Sequence, residues 1–213
     1  MIKLMIVEDH ELFRTGINNI LGEVATIEVV AEASSGEAAI QLARRLTPDV
    51  ILMDVGLPGL SGLETTERIL KTQPDIRIIV LTAHAEPPLP ARLLDIGASG
   101  YLTKGASAEE LIAAIRAVHR GERYIGSEIA QQLALSLLPG TPSSPFQTLT
   151  SRELEVTLML IQGMRASSIG EVLKLSPKTV ATHKYRIYDK VGVRNEVDLL
   201  RLAIRHGLFK PEP

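Results

Sequence analysis

The 213-residue chain has no cysteine, which removes disulfides, thiolate metal sites and cysteine nucleophiles from consideration without fixing the redox compartment. Its five histidines, His10, His84, His119, His183 and His206, are scattered without metal-ligand spacing, so a zinc site is not expected. No long apolar run opens the chain. Ile2-Lys3-Leu4-Met5-Ile6-Val7 meets Glu8 and Asp9 at once, too soon for a signal peptide or a membrane span, and a soluble, cytoplasmic protein is expected. There is no internal repeat, and low complexity is confined to one stretch. What is present in quantity is apolar side chain: 45% of the residues, enough at this length to build a core in each of two domains.

The net charge of -2 hides an asymmetry, because residues 1–123 carry 12 basic against 17 acidic side chains and residues 124–213 carry 11 against 8. The halves are thus -5 and +3. Within 174–194, Lys174, Lys178, Lys184, Arg186, Lys190 and Arg194 face only Asp189, a local excess of +5 that suits a polyanion. Such a run is more often a solvated helix face, so charge alone does not decide.

The first 120 or so residues alternate short β-branched runs with segments of helical period, the pattern of βαβ units around a parallel sheet covered on both faces. Five strands are expected at 4–7, 28–31, 50–53, 77–81 and 100–102, with helices at 12–21, 36–46, 62–71, 90–96 and 108–120. Ser61 with Glu64, Ser107 with Glu110 and, further on, Thr150 with Glu153 read as capping boxes. After Tyr124 the alternation stops. A helix over 127–138 precedes Pro139-Gly140-Thr141-Pro142-Ser143-Ser144-Pro145, whose composition is that of a linker. Beyond it the pattern is helical, with breaks near Gly163, Leu175-Ser176 and Gly192 that give four short helices. The expected domains are 1–123, an α/β doubly wound five-stranded parallel sheet of order 2-1-3-4-5; 124–147, a linker with a short helix; and 148–213, all-α.

Polar residues cluster at the carboxyl ends of these strands: Glu8-Asp9 after the first, Asp54 after the third, Thr82 after the fourth and Lys104 two residues past the fifth. Ligands bind on that side of an open parallel sheet, where strand order reverses, here between the first and third strands. Three converging carboxylates repel unless a cation sits among them, and hard oxygen donors suit Mg2+. With a metal and a lysine to neutralise the transferring group, a carboxylate can attack phosphorus. Asp54 is then the nucleophile, Lys104 holds the phosphoryl oxygens and Thr82 donates a hydroxyl hydrogen bond. An Asp or Thr ending a strand is commonly a turn former, and the weight lies in five such residues at matching strand ends. Phosphohydrolases of the haloacid dehalogenase type also use an aspartate after a parallel strand, but they need a second carboxylate two residues on. That position is Gly56, so the chain is not read as an enzyme.

On Glu8-Asp9, Met53-Asp54-Val55-Gly56-Leu57-Pro58-Gly59, Leu81-Thr82-Ala83 and Tyr101-Leu102-Thr103-Lys104-Gly105, residues 1 to about 120 resemble the flavodoxin-like receiver domain of two-component response regulators. The resemblance implies that Asp54 takes a phosphoryl group from a sensor histidine kinase. It also implies Mg2+ held by Asp9, Asp54 and the Gly56 carbonyl, with Glu8 in the acidic pair, and Thr82 with Tyr101 as the switch pair. Glu8 departs from the commoner Asp.

Ser176 as N-cap and Pro177 at the first helical position start a helix strongly. At about 100° per residue, Val180, Ile187 and Val191 point one way while Lys178, Thr182, Tyr185 and Asp189 point the other. A helix ending near Leu173, a tight turn and this second helix make a helix-turn-helix, an arrangement that enters a DNA major groove.

Residues 149–208 resemble the DNA-binding domain of the NarL/FixJ, LuxR-type regulators, on Leu149-Thr150-Ser151-Arg152-Glu153, Ile169-Gly170-Glu171-Val172-Leu173 and Ser176-Pro177-Lys178-Thr179-Val180 with His183, Ile187, Lys190 and Val191. By position the resemblance makes Ala181, Thr182 and Tyr185 base readers and Lys178, Thr179, Lys184, Arg186 and Lys190 phosphate contacts, with His183 in a packing role. Ser168 and Gly170 stand where that family often has Glu and Ala, and a helical Gly costs about 1 kcal/mol relative to Ala.

Arg123 to Ser127, Ile129 to Ala134 and Ser144-Pro145-Phe146 add a likeness to the family's global activators. That likeness implies a tripartite sensor kinase as donor and small regulatory RNA genes as targets. The opposite charges of the halves suggest docking before phosphorylation. Phosphate on Asp54 then draws Thr82 inward, Tyr101 follows, and the released protein pairs as a homodimer on double-stranded DNA. A regulator that binds DNA constitutively and uses its receiver only for protein docking is the competing reading.

Overall fold

The computed structural model describes residues 1–82, 89–136 and 144–209. Residues 139–143 of the expected linker, residues 137 and 138 of the helix before it, Ala83 and the last four residues lie outside that range. The chain divides into two compact units, one built on a sheet and one helical.

The first unit is a parallel sheet of six strands: β1 (Ile2–Val7), β2 (Ile27–Ala33), β3 (Val50–Asp54), β4 (Arg77–Thr82), β5 (Gly100–Thr103) and β6 (Tyr124–Ile125), in the order β2-β1-β3-β4-β5-β6. The helices between them are α1 (Glu11–Gly22), α2 (Gly36–Leu46), α3 (Gly62–Thr72), α4 (Leu89–Ile96) and α5 (Ala108–His119). β3 and β4 read as continuous apolar runs because both faces are covered: every residue of β3 is buried, as is all of β4 after Arg77. Leu4, Ile6, Val50, Leu52, Ile79 and Leu81 pack on one face with Ile17 and Leu21 of α1 and Leu111, Ile115 and Val118 of α5.

Hydroxyl caps fix three helix starts. Ser35, Ser61 and Ser107 accept from Ala38, Glu64 and Glu110 amides. At Ser61 the expected box partner turns elsewhere, since Glu64 accepts from Arg68 at 2.6 Å. The sixth strand was not expected. Tyr124 and Ile125, assigned by sequence to the linker, pair with Gly100 and Tyr101 of β5 and extend the sheet past residue 123. Helix α6 (Ser127–Ser136) follows.

The second unit holds α7 (Ser151–Ile161), α8 (Ala166–Leu173), α9 (Pro177–Val191) and α10 (Glu196–Arg205), the four expected helices, after a 3-10 turn at Pro145–Thr148. Phe146 in that turn is buried and meets the His206 ring edge-on at 6.3 Å, so ordered structure begins before residue 148. Thr150 and Glu153 form the full reciprocal capping box of α7. Buried Ile169 and Leu173 of α8 and Val180, Ile187 and Val191 of α9 supply core from both arms of the helix-turn-helix.

Candidate functional site

Parallel register carries Glu8, Asp54, Thr82 and Lys104 to one end of the sheet. Val7 pairs with Met53, Asp54 with Leu81 and Thr82 with Thr103, so the chain leaves β1, β3, β4 and β5 side by side. The Lys104 amide donates to the Thr82 carbonyl at 2.7 Å, and its ammonium lies 2.7 Å from Glu8 Oε2 and 3.1 Å from Asp54 Oδ2. Glu8 and Asp54 are buried, at 1% and 3% exposure. Gly62 lets the start of α3 pass directly against the backbone of Asp54: a Cβ there would collide with the Asp54 carbonyl, and its amide donates to Val55 O at 3.2 Å.

Burial raises the Asp54 pKa and the charge of Glu8 raises it further, against the opposing pull of Lys104 and the Gly56 amide. Burial works to lower the Lys104 pKa, but hydrogen bonds and charge from Glu8 and Asp54 outweigh it and the net direction is up. Gly56 lies beside Asp54, with its Cβ direction 3.5 Å from Asp54 Oδ2. Thr82 is 2% exposed and Tyr101 is fully buried; Tyr101 pairs with Val80, two residues before Thr82, so both point to the same face. Tyr101 is thus enclosed on the same face of the sheet as Thr82 in this conformation.

Two members of the pocket escaped the sequence reading. His10 Nδ1 lies 3.0 Å from Glu8 Oε1 and 3.1 Å from Asp9 Oδ1, and Glu8, Asp9, His10 and Asp54 offer ligand atoms all within 4.8 Å of one another. The hydrogen bond to Glu8, then the charges of Asp9 and Glu8, raise the His10 pKa. Spacing between histidines gave no hint of this; its position directly after an acidic pair was the available signal. Phe13 is the other, its ring centroid 4.9 Å from the Lys104 ammonium.

In the second unit, α9 presents Lys178, Thr179, Thr182, Tyr185 and Arg186 to solvent, with Tyr185 71% exposed, while Ala181 and His183 are half-buried. Ser176 caps the helix through the Thr179 amide and shares a 2.7 Å hydroxyl contact with Thr179. The Thr182 hydroxyl donates to the Lys178 carbonyl. Lys184 reaches Glu196 of α10 at 3.1 Å. Lys190 has a partner inside the domain: its ammonium sits 2.6 Å from buried Glu153 Oε2, at the start of α7. Arg152 supports the same junction, donating to the last carbonyl of α8, that of Leu173, at 2.8 Å.

A doubly wound sheet with a lysine-bridged acidic pocket, followed by a helix-turn-helix, defines a class in which a phosphoryl-accepting domain is joined to a DNA-binding one. Residues 4–116 match the response regulator receiver domain and residues 147–203 the bacterial regulatory proteins of the luxR family. The chain belongs to the response regulators with a LuxR-type DNA-binding domain, transcription regulators rather than enzymes. It is 49% identical over 209 residues to the response regulator GacA of Pseudomonas aeruginosa, covering 98% of each chain. It is 48% identical to the response regulator UvrY of Escherichia coli K12, covering 100% of this chain and 98% of that one. Among solved structures, one of two RcsB dimers bound to two parallel DNAs superposes with a TM-score of 0.61 at 25% identity, over 95% of this chain and 98% of that one. A receiver domain implies a histidine kinase as partner. Among the described residues no helix is long and apolar enough to cross a membrane.

Proposed function

We propose that Asp54 accepts a phosphoryl group from a sensor histidine kinase and that the phosphorylated chain, as a homodimer in the cytoplasm, binds promoter DNA through α9. The observation that carries this reading is the Lys104 ammonium held between the Asp54 and Glu8 carboxylates at the end of a parallel sheet. An Asp54 carboxylate oxygen forms the new bond to phosphorus as the donor's bond to phosphorus breaks. Lys104 takes negative charge on the phosphoryl oxygens and Thr82 supplies a hydroxyl donor, while burial first and the charge of Glu8 second raise the Asp54 pKa, a cost that a bound cation offsets.

The donor set fits Mg2+: carboxylates of Glu8, Asp9 and Asp54 crowd within 4.8 Å, and the Gly56 backbone lies beside Asp54, its carbonyl being the further donor expected of the family. A divalent cation held there supplies charge neutralisation for phosphoryl transfer. Beside the pocket, Leu12 is 88% exposed, and a cavity of about 610 Å³ lined by Phe13, Ile17, Ile20 and Leu111 reaches Lys104. A donor domain must come this close to reach Asp54, and an exposed apolar surface gives it a place to dock.

On α9, Ala181, Thr182 and Tyr185 read bases, while Lys178, Thr179, Lys184 and Arg186 contact phosphates. Val197 and Ile204 of α10, 59% and 43% exposed, offer apolar surface for a second copy. The deciding experiment gives the full-length protein a labelled small-molecule phosphodonor: wild type takes up label and Asp54→Asn does not. Equal labelling of the two removes the reading. Genome-wide DNA occupancy compared between wild type and Asp54→Ala then identifies the operators.

A further inference from the structure

The pocket contains one donor that an all-carboxylate cation site does not explain. His10 occupies the N-cap position of α1, yet its side chain makes no capping hydrogen bond. The imidazole instead turns to the acidic pair, with Nδ1 3.0 Å from Glu8 Oε1 and 3.1 Å from Asp9 Oδ1. Its backbone amide holds the same Glu8 oxygen at 3.1 Å. Lys104 takes the opposite one, Oε2, at 2.7 Å. Glu8 is thereby fixed with Oε1 on the imidazole side.

Donors about 2.1 Å from one cation lie about 3 Å apart when adjacent and about 4.2 Å apart when opposite. The two His10 distances match adjacent positions of a single coordination shell. The full set of four donors, spread over 4.8 Å, needs to contract by only about half an ångström to close on one ion. His10 is 72% exposed, which leaves the ring room for that adjustment.

Resting on the reading of this pocket as the cation site beside the phosphoacceptor, we propose that His10 is a protein ligand of that cation. Its imidazole shifts the site from Mg2+ toward first-row transition divalent ions, with Mn2+ the hard-tolerant member that suits both donor types. Carboxylates and water satisfy Mg2+, which gives up its waters reluctantly. Nitrogen donors raise affinity for the transition series instead. The glutamate at position 8 contributes to the same end, because its longer side chain brings Oε1 to the ring.

The test uses the full-length protein with Mn2+ as probe, since a chain with no tryptophan lacks the usual fluorescence readout. Bound Mn2+ is counted by loss of the free-ion paramagnetic resonance signal, and its ligands are read by pulsed resonance as nitrogen modulation. Wild type should show a 14N coupling that becomes a 15N coupling when histidine alone is labelled. In His10→Gln the coupling should vanish, with Mn2+ affinity lower by about tenfold or more and Mg2+ affinity, measured by competition, changed less.

Bound Mn2+ without histidine nitrogen, or a coupling that persists in His10→Gln, overturns the inference and leaves the cation reading standing. Absence of saturable Mn2+ binding in wild type, or undiminished binding in Asp9→Asn/Asp54→Asn, overturns both.

Discussion

A lysine ammonium 2.6 Å from a buried carboxylate is held by charge and hydrogen bond together, and Lys190 on Glu153 is such a pair. Burial alone would raise the Glu153 pKa, but Lys190 and the Thr150 amide and hydroxyl overcome it, so the net direction is down from 4.5. A depressed carboxylate stabilises the fold fully above its unfolded value, and that contribution is lost as pH falls through the folded one. Lys190→Ala should therefore cost about 1–3 kcal/mol at neutral pH, with the deficit shrinking below about pH 4.5. Calorimetry of the helical unit's transition in the full chain checks it, and a deficit independent of pH down to the acid limb would refute the ion pair as its cause. The Lys190 pair was not legible in sequence because a helical wheel sees only its own helix, whereas the partner lies 37 residues away. His10 was missed because spacing among histidines was the signal considered, while its carboxylate neighbours Glu8 and Asp9 directly precede it in the chain.

At the scale of elements, the turn between α8 and α9 sets the geometry of the DNA-facing helix. Gly170 lies inside α8, and a Cβ there would stand 2.6 Å from the Leu175 carbonyl, while the Leu175 amide donates to Gly170 O at 2.8 Å. Propensity alone says that Gly170→Ala gains about 1 kcal/mol. Contact says the reverse, because the clash is with backbone, and overpacking of this kind costs about 1–3 kcal/mol. Gly170→Ala should lower the melting temperature of the helical unit, and a rise would show that propensity wins.

Most elements were legible because their signals are local. β-branched runs between polar strand ends gave β1 to β5, and Ser or Thr caps gave the starts of α3, α5, α7 and α9 to the residue. β6 was not legible, since two residues carry no alternation and its pairing comes from Tyr124 and Gly126 amides donating to Ser99 and Tyr101 carbonyls. Buried Val180, Ile187 and Val191 confirm the stripe read from the 3.6-residue period, whereas Gly170 could be judged only against the turn it packs on.

For the whole molecule, net charge is split -5 and +3 between the two halves. A phosphoryl group on Asp54 adds roughly one further negative charge to the acidic half, so charge alone gives no release of the basic half on phosphorylation. Coupling to the phosphoryl group then calls for two conformations that differ in affinity for it. Saturation with beryllofluoride and a divalent cation should then raise operator affinity by about 5–150-fold, the usual span of a coupling of 1–3 kcal/mol. Asp54→Asn should abolish the gain. Salt weakens DNA binding in both states through counterion release, so absolute affinities fall together while their ratio stays. A ratio that collapses toward one as salt rises would mean that simple charge pairing was the brake, and a ratio of one at all salt concentrations would favour constitutive DNA binding with the receiver serving only as a docking module.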